Sequence, residues 1–415
     1  MTVDTKIDPT KILPPDPPGP MKWLRDNLFS SWFNSLMTLI LIPTVLWILY
    51  SALYWAFVTA DWTPITSNPM LFIVGQYPRV ELWRVAISLA GIMLMLGISW
   101  GKWGGIVQSI AITGAVIFAV VTFLPVDHPD LNIVLFNAFS YEITVRIFSG
   151  FLSLFVLAGY FMGNAKRITP GIIVAAWLLL PIFIVIFLSG FGDNELMPSI
   201  STTLWGGILV TFLLAFGGIL ISFPIGVMLA LGRRSNLPVV TAFSTTIIET
   251  IRGMPLVTIL FMFSTILTLL IPPDLIIDRL MRALMAVTLF SAAYTAENVR
   301  GGLAAVDSGQ VEAAKAVGMN NWKIMTFIVL PQAIRAILPA IVGQFIALFK
   351  DTTLVVIVGI NDFLGIGRSV IKQSPEFLQL QLEVYLFIGA VYMLFSYVMS
   401  AASRRIESSL GVQHG

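Results

Sequence analysis

DSGQVEAAKAVGMNNWKIMTFIVLP, residues 307–331, is a polar island in a very apolar chain. Hydrophobic runs flank it on both sides, so it reads as a loop between two membrane spans. Within it, Val311, Ala314 and Gly318 fall at i, i+3 and i+7, on one helical face. Asp307 or Ser308 can cap the start, and Gln310 stands three residues after Asp307, as in a capping box. Gly318 is placed to end the helix, because a residue without Cβ enters the left-handed region cheaply. The expectation is a helix of about two turns. The small residues on one side would let another protein's backbone come close.

The rest of the chain explains why such a loop stands out. Of 415 residues, 57% are hydrophobic and 11% charged, against roughly 25% charged in a soluble domain. Several runs of about 18 or more apolar residues can each cross a bilayer core as a helix. A β-barrel would instead show short alternating segments. The reading is an all-α polytopic membrane protein. Net charge is +2, so no nucleic-acid partner is implied. Cysteine is absent and the histidines are His128 and His414, which argues against a disulfide, thiol or histidine-built metal or catalytic centre.

Residues 1–35 read as a cytosolic segment: a proline-rich disordered tail, then a short surface-lying helix with Lys22, Trp23, Arg25 and Trp32. The first apolar run comes late and is too long for a cleavable signal peptide. Spans are expected near 36–58, 84–100, 104–124, 143–162 and 168–190, which makes 36–195 an extension of five helices. Pro64, Pro69 and Pro78 break the stretch after the first span too often for it to cross. A polar break with Asp193 and Glu195 comes next. Five more spans are expected near 203–231, 239–271, 282–300, 329–350 and 383–402. Gly359, Asn361-Asp362, Gly365 and Gly367 interrupt the apolar stretch 352–372, which reads as re-entrant or surface-lying.

Basic residues collect in one set of connectors: Lys22/Arg25, Lys102, Lys166/Arg167, Arg233/Arg234, Lys315/Lys323 and Arg404/Arg405. That set is expected to face the cytosol. Both termini then lie inside, about ten spans satisfy the parity, and the loop at 307–331 is cytosolic.

Glu312-Ala313-Ala314 is followed after three residues by Gly318, and after nine more by Ile328-Val329-Leu330-Pro331. This spacing resembles the EAA signature of bacterial ABC importer permeases. The resemblance implies that Glu312, Ala313, Ala314 and Gly318 belong to a coupling helix docking into a groove of an ATP-hydrolysing partner. Three further blocks resemble the polar amino acid permeases of that family. Glu249-Thr-Ile-Arg252-Gly-Met-Pro-Leu256 is the first, where Gly253 and Pro255 argue for a bend and Glu249 and Arg252 can pair across one face. It is read as structural, or else as a gate. Ala293-Tyr-Thr-Ala-Glu297-Asn-Val-Arg300-Gly-Gly302 is the second; Glu297 pairs with Arg300 or lines the path. Lys350-Asp351-Thr352-Thr353-Leu354 is the third, with Thr353 where the family usually has serine. Lys350 and Asp351 could answer the carboxylate and ammonium of an amino acid, with the threonine hydroxyls assisting. The alternative is a helix-capping charge pair at the outer interface.

The resemblance covers about 200–410 and implies a five-helix type I ABC importer permease core. Asn27-Leu-Phe-Ser-Ser31, Gly75-Gln-Tyr-Pro-Arg79 and Glu81-Leu-Trp-Arg84 resemble the longer permeases of general L-amino-acid ABC importers. The implied assembly sits in the bacterial inner membrane. It comprises this chain, a second homologous permease, an ATPase dimer, a periplasmic amino-acid-binding protein and surrounding lipid. No Walker A pattern is present, so ATP and Mg are expected on the partner, with no cofactor in this chain and no enzymatic activity of its own. The rival class is an ion-driven secondary transporter using Glu297 or Asp351 as a proton relay. A rival within the class is an ABC permease for another polar solute.

Overall fold

The computed structural model describes residues 19–123, 133–135, 141–143, 145–165, 168–192, 197–272, 274 and 277–409. The tail up to residue 18, the basic pair Lys166/Arg167, the acidic positions Asp127, Asp130, Asp193 and Glu195, and both histidines lie outside these residues.

The chain divides into two units, Met1–Asp61 and Trp62–Gly415. In the first, the amphipathic α1 (Pro20–Leu28) precedes the apolar α2 (Trp32–Tyr54). Ser31 caps α2 by accepting from the Asn34 N–H at 3.1 Å, and the Thr38 hydroxyl donates to the Leu28 carbonyl at 2.8 Å. A π-helical turn, Trp55–Thr59, continues α2, and no residue of α2 is buried by its own chain.

The second unit opens with α3 (Thr63–Thr66) and α4 (Pro69–Val74). As the prolines suggest, this stretch does not span, yet it is not loose either. Met70, Val74 and Tyr77 are buried in the same core as Trp205, Leu214 and Ala293. Then come α5 (Leu82–Trp103), α6 (Gly105–Phe123), a short antiparallel pair β1 (Ile133–Leu135) and β2 (Tyr141–Ile143), α7 (Val145–Gly163) and α8 (Pro170–Ser189). Helices α5 and α7 meet through Gly97 and Gly101 on one and Gly159 and Gly163 on the other; a Cβ at Gly97 would collide with the Val156 carbonyl. Spacing small residues four apart lets two apolar helices approach closely where no hydrophobic force between them is available.

One side chain ties the stretch after α4 to the end of α8, and a second reaches across the polar break. Tyr77 donates to the Leu188 carbonyl at 2.9 Å, and Arg84 donates to the Pro198 carbonyl at 3.0 Å. Arg84 is fully buried, and its charge is answered by Glu81 at 2.9 Å. The sequence boundary expected near 195–200 therefore falls inside one packed unit. The blocks Gly75–Arg79 and Glu81–Arg84 are where the packing occurs.

The second half contains α9 (Gly207–Arg233), α10 (Pro238–Arg252), α11 (Leu256–Phe261), α12 (Leu267–Leu270), α13 (Arg279–Ala305), α14 (Ser308–Ala316), α15 (Asn321–Lys323), α16 (Leu330–Asp351), α17 (Phe363–Ile371) and α18 (Gln381–Ser409). The single span expected at 239–271 is bent by 110° between α10 and the run from α11 to α12. Gly253 and Pro255 are the cause: proline cannot donate the hydrogen bond that would carry the helix onward. The interrupted stretch 352–372 forms a 3₁₀ turn, Thr352–Val358, then left-handed Gly359, then α17. Asp362 is fully buried and caps α17, accepting from Gly365 N–H at 2.9 Å and from the Tyr392 hydroxyl at 3.1 Å.

Among the described residues, seven helices are long and apolar enough to cross a membrane, or eight if the bent pair is one span. The other two expected spans are also helical. The apolar part of α6, Val107–Phe123, is shorter, and α13 is long but carries Glu297 and Arg300. Helix α13 packs between α9 and α16 through small residues; Gly226 of α9 sits where a Cβ would meet the Thr295 side chain at 2.7 Å.

Candidate functional site

Only Val306 and Asp307 separate α13 from α14. The Asp307 carboxylate accepts from the Gly309 N–H at 2.6 Å, so the start is capped as expected. The capping box is not formed: the carboxylate takes the nearer Gly309 N–H, and the Gln310 N–H donates to the Asp307 carbonyl at 3.1 Å. At the other end Met319 N–H donates to the Ala314 carbonyl at 3.1 Å and Gly318 N–H to the Lys315 carbonyl at 2.9 Å. With Gly318 at φ +80°, this is a Schellman termination. The glycine ends the helix, as the spacing implies.

One expectation about this helix changes. Ala314 is buried and packs with Ile324, Val329 and Leu303, while Val311 and Met319 lean on the same cluster. The small-residue face therefore turns toward this chain. The outward surface carries Glu312 and Ala313, the 77% exposed Val317 and, just beyond, the 74% exposed Trp322. The reason is apolar burial: Val311, Ala314 and Met319 form the stripe that the neighbouring π-helical turn, Ile324–Val329, can cover.

Above the loop, five charged side chains converge from three helices. Arg233 ends α9 and lies 2.7 Å from Glu249 of α10 and 3.5 Å from Glu297 of α13. Arg252 reaches Glu297 at 3.5 Å, and Arg300 donates to it through Nε at 2.9 Å. The pairing of Glu297 with Arg300 agrees with the expectation from sequence. The pairing of Glu249 with Arg252 does not occur; the end of α9 brings Arg233 closer, and Arg252 turns to Glu297. Arg252 also rests over the Tyr294 ring at 5.6 Å. Arg233, one of the basic connector residues expected to face the cytosol, is thus the hub that joins both glutamates.

Lys350 is not part of this cluster. It is exposed on the last turn of α16, and no ion pair joins it to Asp351. Thr352 is fully buried and donates to the Phe349 carbonyl at 2.8 Å; Thr353 donates to the Lys350 carbonyl at 2.9 Å. Both hydroxyl protons thus serve the end of their own helix, and the oxygens retain lone pairs for accepting. Glu297, expected from sequence to line the path or pair with Arg300, sits in the other charge centre, apart from Lys350.

Between the two regions runs a polar ladder that the sequence does not announce as a unit. Asn298 donates to the Gln344 carbonyl oxygen at 2.8 Å. Gln344 in turn donates to the Ser291 carbonyl at 2.8 Å and the Thr295 hydroxyl at 3.1 Å, and Ser222 donates to the Ser291 hydroxyl at 3.0 Å. It ties α9, α13 and α16 together in an apolar setting. A signal is present in the chain: Gln344 is the one polar side chain in the apolar run 336–349. From Gln344 to Lys350 the helix climbs about 9 Å.

The arrangement is a bundle with a broken helix, a charge centre and an exposed connector, and the described residues hold no cluster of metal-ligating side chains. Comparison with known proteins agrees with it. The family described as binding-protein-dependent transport system inner membrane component matches residues 222–412. The glutamate/glutamine/aspartate/asparagine transport system permease protein BztC of Rhodobacter capsulatus is 31% identical over 99% of both chains. The inner membrane amino-acid ABC transporter permease protein YhdY of Escherichia coli is 32% identical over 96% of this chain and 97% of that one. A crystal structure of an amino acid ABC transporter with histidines is 29% identical over 49% of this chain and 92% of that one, with a TM-score of 0.44. The chain belongs to the inner membrane components of binding-protein-dependent transport systems, as a multi-pass ABC importer permease subunit that is not itself an enzyme.

Proposed function

We propose that this permease carries L-amino acids, delivered by a periplasmic binding protein and driven by an ATPase dimer that binds ATP and Mg. A second permease chain completes the path. Both termini and the loop at 307–331 face the cytosol. The observation that carries the reading is the direct continuity of α13 into α14. A partner gripping the exposed face of α14 pulls on the helix that bears Glu297.

On this reading the outward residues Glu312, Ala313 and Val317, with Gly318 at the turn, meet the ATPase, while Ala314 seats the helix on its own chain. The cluster of Arg233, Glu249, Arg252, Glu297 and Arg300 is a gate on the cytosolic side, closed while its ion pairs hold. Lys350, Asp351 and the oxygens of Thr352 and Thr353 border the substrate path higher up. Three arginines surround Glu297, and a carboxylate with three cationic partners suits a latch and not a proton relay. That observation speaks against Glu297 as the proton relay of the ion-driven alternative.

The test is purification of the chain with its native partners, followed by ATP hydrolysis with and without L-amino acids and binding protein. Co-purification of an ATPase and a second permease, with turnover raised by amino acids, is the expected result. Gly318→Asp should retain amino-acid binding by the binding protein but lose uptake. A folded chain that carries no ATPase overturns the reading, as does full uptake by Asp351→Asn and Lys350→Met variants for the substrate path.

A further inference from the structure

We propose that a phospholipid from the surrounding bilayer occupies the cleft between α8 and the second half. Among the described residues the cleft has a volume of about 740 Å³ and is lined chiefly by Ile186, Ile225, Phe263, Met281, Met285 and Leu289. It lies at the depth of the membrane spans, between α8, α9, α13 and the π turn at Met262–Ile266. Its volume falls in the range of roughly 300–1,000 Å³ typical of ligand sites.

Water does not suit it. A buried water needs about two to four polar partners. Here the lining hydroxyls are Ser189 and Thr288, and Thr288 Oγ1 is buried without a hydrogen bond. A space open to the bilayer and walled by aliphatic and thioether groups is filled most favourably by an acyl chain. Met281 and Met285 adapt to such a chain because their side chains are unbranched and flexible.

Charge selects the kind of lipid and its direction. Arg282 stands on α13 between Met281 and Met285, and its guanidinium reaches the Ser264 carbonyl at 2.7 Å, next to Phe263. Its Nε is buried and has no hydrogen-bond partner. Arg279, one turn earlier, is exposed and donates to the Gly359 carbonyl at 3.3 Å. The nearby Asp278 carboxylate is engaged by Thr202 at 2.6 Å and by the Leu280 N–H at 2.8 Å. Both arginines stand on the first turn of α13, the end away from the 307–331 loop, beside the lining residue Met281 and not in the lining itself. A phosphate belongs there, with the tail running toward Ile225. Continuity with the outward faces of Ile182, Ile186 and Met285, each at least 40% exposed, gives the lipid its route in.

The experiment uses the full chain, assembled with its partners, in nanodiscs containing phosphatidylglycerol with a diazirine on one acyl chain. After irradiation, adducts are mapped by mass spectrometry. Labelling should concentrate on peptides carrying Ile186, Met281 and Met285, above the lipid-facing control of Leu394 and Val398 on α18. It should be lost in Ile225→Trp, which fills the cleft, and in Met285→Trp, which blocks the exposed mouth and spares the interior. Arg282→Gln should reduce it. Equal labelling of cleft and control, or unchanged labelling in Met285→Trp, overturns the proposal. So does a crosslink from Met285→Cys to the second permease chain, which would make the cleft a protein contact.

Discussion

Glu249 is bound to Arg233 of α9 at 2.7 Å and not to Arg252, which lies three residues along its own helix. The choice ties the end of α9 to the helix that follows it. A double-mutant cycle on Arg233→Gln and Glu249→Gln should give a coupling of about 0.2–1 kcal/mol, since both side chains are partly exposed. The same cycle on Glu249 and Arg252 should give none. Thermal unfolding in detergent reads both, and a larger coupling for the second pair would refute the arrangement.

Gly318 sits at φ +80°, where a side chain with a Cβ is strained by roughly 1–2 kcal/mol. Nothing crowds the position, so the strain is conformational and not steric. Gly318→Ala should therefore weaken the end of α14 by about 1 kcal/mol. Gly318→Asn should cost less, because asparagine tolerates the left-handed region. Hydrogen exchange at residue 318 and Met319, whose N–H groups close the helix end, distinguishes the two, with faster exchange expected only for alanine.

The contact of α5 with α7 is set by backbone proximity. Gly97→Leu or Gly159→Leu should separate the helices, lower the unfolding temperature and expose both to protease. Gly91→Leu, on the same helix with open space around it, is the control and should leave stability unchanged. Equal tolerance of all three would show that the close approach is not required.

Gln344→Leu removes the amide that joins Asn298, Ser291 and Thr295. Hydrogen bonds between membrane helices average about 0.6 kcal/mol and reach about 1.7. The upper end is expected here, because Ser291 and Thr295 are buried and are left with fewer partners. Thermal unfolding measures the loss. Gln344→Glu keeps the shape and, as an ionised carboxylate, has no donor, so at alkaline pH it should fall nearer to leucine than to the parent.

Much of this is legible in the sequence, for physical reasons that also mark where legibility stops. Apolar length reveals a span without reference to any neighbour, so α2, α8, α9 and α18 read directly. Local backbone chemistry is equally self-contained. Gly253 with Pro255 announces the bend, and Gly318 the end of α14. Partner choice is not local. Whether Glu249 meets Arg252 or Arg233 depends on where α9 ends in space. Which face of α14 turns inward depends on Ile324 and Val329. The segment 61–84 reads as an interrupted loop, yet Tyr77 and Arg84 lie at the heart of the packing. The glycines at 97, 101, 159 and 163 have a four-residue spacing, but spacing alone does not say which helix each pair will meet.

Helix α13 runs unbroken for 27 residues, about 40 Å at the usual rise. At its start Arg279 holds the Gly359 carbonyl at the tip of the broken segment, 3.3 Å away. At its finish it passes into α14. A rod that touches both surfaces has no slack in which to store a delay. On the proposed reading, binding protein at one end and nucleotide at the other would act on the same strip of backbone, so that each event is felt at the opposite end of the helix.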